Sequence, residues 1–170
     1  MDKQGFENMK FVILALGLLF GAAANATIMP KADLVVVKKS QYSLTLYSKG
    51  VALKRYWVAL GPNPKGAKVR EGDYKTPEGR YLLDYKKTDS NYYKAFHISY
   101  PSVADMKRAQ QMGVNPGSQV LLHGQRKGSI MSDQTLQRSN WTNGCIALIN
   151  ADMDELWDSI EPGTPIEIRP

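Results

Sequence analysis

One cysteine, Cys145, and two histidines, His97 and His123, are the side chains of this 170-residue chain best suited to nucleophilic chemistry near neutral pH. A thiol attacks only as thiolate, and a nearby imidazole or a set of oriented backbone N–H groups makes it one. Cys145 follows Gly144 and opens the apolar run Ile146-Ala147-Leu148-Ile149. His123 ends the apolar stretch Val120-Leu121-Leu122 and is followed by Gly124. An imidazole at the end of a buried strand and a thiol whose backbone can be closely approached form a candidate Cys–His pair. The N–H groups of Gly144 and Cys145 are then candidates for an oxyanion hole. The competing reading makes His123 a satisfied core residue and Cys145 a small buried hydrophobe. His97, between Phe96 and Ile98, reads as a structural residue of a strand. The acidic residues Glu71, Asp73 and Glu78 lie in a turn-rich loop. There Asp73 and Thr76 suit backbone hydrogen bonding better than paired-carboxylate hydrolysis. His97, His123 and Cys145 lack the spacing of metal ligands, and no motif calls for a cofactor.

The thiol has to be placed in a compartment. Residues 1–10 are polar and end in Lys10, and the fourteen residues Phe11–Ala24 are apolar or small. Ala24-Asn25-Ala26 then supplies a small-x-small cleavage pattern, so residues 1–26 read as a secretory signal peptide. As a helix the apolar stretch would rise about 21 Å, short of a hydrocarbon core of about 30 Å. Membrane contact is expected only in transit, through that signal; the alternative is an uncleaved segment that anchors with tilt. The expected location is outside the cytoplasm, in the periplasm or cell envelope. Thiols there tend to be oxidised in pairs. A lone cysteine in such a place is buried and inert, joined to another chain, or a working nucleophile.

Residues 27–170 are expected to form a single domain, large enough to bury a core. The charges of the signal cancel, so the remainder keeps the net charge of +6. Its lysines and arginines are scattered, with Lys38-Lys39, Lys54-Arg55 and Lys86-Lys87 the densest clusters. That pattern suits an anionic wall or membrane face, or simply solubility. It shows neither the basic stripe nor the module of a nucleic-acid binder.

The elements that must position the thiol and imidazole are mainly β. Alternation and β-branched content predict strands over 34–37, 42–47 and 51–60, forming a meander. A glycine- and proline-rich loop, residues 61–79, interrupts them; a loop of that length inside a compact domain is usually functional. Strands follow over 80–85, 96–100 and 118–122. A short helix spans 102–112, capped by Ser102 and closed by Gly113. Residues 125–141 are polar, with room for one helical turn. Cys145–Ile149 is strand-like or leads into a helix over 151–160 that Asn150 is placed to cap. Residues 164–169 make a last strand.

These motifs resemble a known family. Gly61-x-Asn63-Pro64-x-Gly66-x-Lys68, Glu71-Gly72-Asp73, Thr76-Pro77-Glu78-Gly79-x-Tyr81, His123-Gly124 and Gly144-Cys145-Ile146 are similar to the YkuD-type L,D-transpeptidase catalytic domains of bacterial cell walls. The resemblance covers about residues 33–169 and implies a β-sandwich or barrel-like domain with a few helices. It implies a cysteine peptidyltransferase acting on peptidoglycan stem peptides. Cys145 would attack the bond between the L-centre of diaminopimelate and D-alanine. His123 would be the base, the Gly124 carbonyl would orient the imidazole, and N–H groups near Gly144 and Cys145 would hold the oxyanion. Tyr100, Thr142 and Asn143 are candidate substrate contacts. Many members carry Ser-His-Gly-Cys with an arginine two residues on; here Asn143 and Ala147 occupy those places. Both departures resemble a YafK-like subgroup with Trp-Thr-Asp-Gly-Cys-Ile-Ala. They leave open whether an amine or water takes the acyl group, a hydrolase of a protein–wall link included, with a wall-attached protein as the partner. A non-catalytic wall-binding module is the alternative of another class.

Overall fold

The computed structural model describes residues 30–170; the segment read as a signal peptide lies outside them. One eight-stranded sheet carries the molecule, in the order β3-β2-β1-β8-β4-β5-β6-β7. Its strands are β1 (Leu34–Lys38), β2 (Ser43–Ser48), β3 (Val51–Trp57), β4 (Gly79–Lys87), β5 (Ala95–Ile98), β6 (Leu121–His123), β7 (Ile146–Ala147) and β8 (Thr164–Arg169). Three helices join them: α1 (Val103–Gln111), α2 (Asp133–Arg138) and α3 (Asn150–Ser159). The chain is thus mainly β with a few short helices, as its alternating pattern predicts.

The first three strands form the expected antiparallel meander. A single 3₁₀ turn over Lys39–Gln41 separates β1 from β2. The last strand of the chain does not add to an edge. β8 inserts between β1, which it pairs in parallel, and β4, which it pairs antiparallel. Inward-facing Val35, Val37, Leu44, Leu46, Leu83, Phe96, Ile98, Leu122, Ile146, Ile166 and Ile168 make one core, completed by Met153, Leu156 and Ile160 of the α3 region.

The helix ends follow local chemistry with one correction. Ser102 caps α1 through a full capping box: its hydroxyl accepts from the Asp105 N–H, and the Asp105 carboxylate accepts from the Ser102 N–H at 3.0 Å. Asn150 does not cap α3. The N-cap is Ile149, and the Asn150 side chain instead accepts from the Gln125 N–H at 2.9 Å. A long-range partner next to the His123-Gly124 turn has taken the oxygen that local geometry would have used.

Candidate active site

Strands β6 and β7 set the site. They pair in parallel with Leu122 opposite Ile146 and His123 opposite Ala147. Leu122 and Ile146 both point into the core and are fully buried. Side chains alternate across a strand, so Leu121, His123, Cys145 and Ala147 share the other face. On that face His123 and Cys145 are diagonal neighbours, with Cα atoms about 8 Å apart. The Leu121 N–H donates to Cys145 Sγ at 3.4 Å, and the thiol reaches the Gln119 carbonyl at 3.9 Å.

His123 is fully buried, and its Nδ1 lies 2.6 Å from the Gly124 carbonyl. A carbonyl only accepts, so the proton sits on Nδ1 and Nε2 presents a lone pair. That Nε2 has no hydrogen-bond partner among the described residues. Burial pushes the imidazole pKa down to about 4, against the opposing pull of the Gly124 carbonyl. Burial also pushes the Cys145 thiol up, while the Leu121 N–H and the Lys68 ammonium pull it down. Both shifts favour a neutral thiol beside a neutral imidazole. Proton transfer then belongs to the moment of attack rather than to a preformed ion pair.

Two aromatic rings wall off the imidazole. Tyr92 stacks on it with centroids 3.8 Å apart, and Trp141 meets it edge-on at 5.6 Å. Burial pushes the Tyr92 phenol up, and ionisation of Cys145 would push it further. The sequence offers no pattern that marks Tyr92; only the pairing of Tyr92 with Arg126 brings it over the ring. Trp141 serves as a wall, with its Nε1 buried and unpartnered.

The loop before Cys145 is locked from within. The Thr142 hydroxyl donates to the Cys145 carbonyl at 2.8 Å and accepts from the Gly144 N–H at 3.2 Å. Thr142 therefore shapes the turn, its hydroxyl bonded on both sides within the loop. The Gly144 N–H is spent there too, whereas the Cys145 N–H donates to no group among the described residues. Gly144 holds a φ of +117°, and a Cβ on it would sit 2.5 Å from the Lys75 carbonyl. The long loop 61–78 presses on the nucleophile loop at this point.

A cavity of about 300 Å³ opens beside the thiol, lined by Lys68, Glu71, Tyr74, Gln119, Asn143 and Cys145 among others. Asn143 is exposed on its wall, where a substrate would meet it. Tyr100 is a correction: it is 2 % exposed, packs edge-on against Tyr81 and donates to the Pro116 carbonyl at 3.0 Å. Two residues past the end of β5, it adds its ring to the core cluster. His97 is a half-buried surface residue held by Asp84 at 2.8 Å and stacked on Tyr85. The three loop carboxylates work apart: Glu71 with Asn115, Glu78 with Lys39, and Asp73 with Lys68 and the backbone. Thr76, expected to bond the backbone, is buried with its hydroxyl unpartnered. Among the described residues no three of His, Cys, Asp and Glu gather as a metal site.

Known proteins are similar to this chain in sequence and fold. A family model described as the YkuD L,D-transpeptidase catalytic domain matches residues 32–168. YafK of Escherichia coli (strain K12) is 29% identical over 147 residues, covering 81% of this chain and 49% of YafK. The helical cell shape determining protein Pgp2 of Campylobacter jejuni superposes with a TM-score of 0.61 at 26% identity, covering 82% of this chain and 48% of that one. An L,D-transpeptidase from Xylanimonas cellulosilytica shares the fold, with a TM-score of 0.51 at 17% identity, over 82% of this chain and 61% of that one. The chain spans about half the length of YafK and of Pgp2. With the family model spanning nearly all of the described residues, this chain belongs to the YkuD family of L,D-transpeptidase catalytic domains.

Proposed function

We propose that the protein is an exported cysteine L,D-transpeptidase acting on peptidoglycan stem peptides in the periplasm or cell envelope. The observation that carries this is the state of His123: its Nδ1 proton is committed to Gly124, and its lone-pair Nε2 is buried, unpartnered and on the same face as Cys145. Nε2 takes the thiol proton as Sγ attacks the diaminopimelate carbonyl. The Cys145 N–H faces the developing oxyanion, with the turn held by Thr142 and Gly144. The C–N bond then breaks, the imidazolium gives its proton to the departing D-alanine amine, and a thioester remains on Cys145. An amine that attacks the thioester forms a crosslink or a protein attachment. Water makes the same site a hydrolase.

Incubation of the protein with purified tetrapeptide muropeptides, read by mass spectrometry, tests the proposal. A crosslinked dimer that disappears with Cys145→Ala is the expected product. Tripeptide with free D-alanine and no dimer assigns the site to hydrolysis. Product formation unchanged by Cys145→Ala removes the thioester mechanism, and a Cys145 that resists both carbapenem acylation and iodoacetamide marks a non-catalytic module.

A further inference from the structure

One charged group of the Cys145 cavity has no part in the chemistry above. Lys68 lines the cavity, yet only 6% of its side chain is exposed. An ammonium has three N–H donors. Two are committed, one to the Arg70 carbonyl at 3.0 Å and one to Asp73 Oδ1 at 2.9 Å. Asp73 is turned into its own loop, where it also accepts from the N–H groups of Val69 at 2.8 Å, Arg70 at 3.1 Å and Lys75 at 3.1 Å. Those N–H dipoles offset the charge of Asp73, which is not in the cavity lining. Lys68 therefore brings positive charge to that lining, with one donor unspent among the described residues. The other charged residue of the lining, Glu71, is exposed and tied to Asn115 at 3.0 Å. Ala147, on the strand beside His123, brings no charge.

The substrate brings an anion to this place. D-alanine leaves through its nitrogen, and its own carboxylate carbon lies roughly 2.5 Å from that nitrogen. A scissile carbonyl seated at Cys145 thus carries a carboxylate into the same cavity. Resting on the peptidoglycan reading, we infer that Lys68 is a specificity-determining residue that binds the terminal carboxylate of the leaving D-alanine. The donor must then end at that residue. A stem with one more residue, or with its terminal carboxylate amidated, presents no charge at the right distance. A charge-assisted bond of this kind separates acid from amide by about 10- to 100-fold in kcat/KM.

The test compares a stem tetrapeptide with its C-terminal amide, reading release of D-alanine or D-alaninamide by mass spectrometry. The wild-type protein is expected to prefer the acid by the factor above. Lys68→Arg keeps the preference, since it keeps the charge. Lys68→Met, and the double variant Lys68→Met with Asp73→Asn that leaves no carboxylate stranded, bring the two substrates within about threefold by slowing the acid more than the amide. Equal use of acid and amide by the wild-type protein overturns the inference and leaves the thioester mechanism standing. So does a folded Lys68→Met that keeps the preference. No Cys145-dependent cleavage of either substrate overturns the underlying reading, and this inference with it.

Discussion

A general base has to be neutral and to have one nitrogen free, and burial keeps His123 in that state. An unfolded histidine titrates near pH 6.5, whereas in the fold burial lowers this one to about 4. Between those values the unfolded chain binds more protons than the folded one, so stability falls as the pH drops from 6.5 toward 4 and is complete above 6.5. The difference amounts to roughly 3 kcal/mol. Urea midpoints measured across that window should decline for the wild-type protein and stay nearly level for His123→Gln. Acylation of Cys145 should likewise persist below pH 6 and fail near pH 4; failure near 6.5 would show that the imidazole is not desolvated. Cys145, His123 and Gly124 were legible in the sequence because a glycine beside each and a strand end before the histidine are local signals. Tyr92 and Lys68 were not, because what places them is a cross-chain bridge and a loop folded onto itself. Tyr100 misled because a strand-end aromatic does not declare which way its ring turns.

The elements show the same division. Strand periodicity and the Ser102 capping box are short-range and read directly from the residues. The choice of Ile149 over Asn150 as the α3 cap was not readable, since the competing partner, Gln125, lies 25 positions away. The loop read over 61–79 was expected to be functional from its length and composition, whereas its contacts were not readable. A Cβ on Gly61 would lie 2.2 Å from the Tyr74 carbonyl of its own loop, and 3.1 Å from the Gly144 nitrogen and the Thr142 carbonyl of the loop before Cys145. Gly61→Ala must shift the Tyr74 segment and crowd the loop before Cys145. Overpacking of this kind costs about 1–3 kcal/mol, visible as a lowered Tm. A displaced nucleophile should also lose about 100-fold in acylation rate, measured by mass spectrometry of the carbapenem adduct. A drop in Tm with full activity would mean that the contact serves stability alone.

Across the whole molecule, the mainly β class followed from alternation, while the order of strands did not. Nothing local tells β8 to slip between β1 and β4 rather than extend an edge. Its neighbours on both sides depend on it: Val35, Val36, Val37 and Lys38 pair with Ile166, Glu167, Ile168 and Arg169, and Gly79–Leu83 pair with the opposite edge of the same strand. Deleting residues 164–170 should therefore abolish the cooperative thermal transition, followed by far-UV circular dichroism, rather than trim a terminus. Residual cooperative unfolding of that truncation would show that the halves hold together without it. The position of β8 also fixes a sequence of events. β1 and β4 gain their shared neighbour only when residues 164–169 have been made, although Ala59 and Ala147 also bridge the two halves directly, and pairings this distant close slowly. A ribosome therefore handles a sheet with a gap between β1 and β4 until residues 164–169 have emerged, and the chain needs shielding of that gap in the meantime.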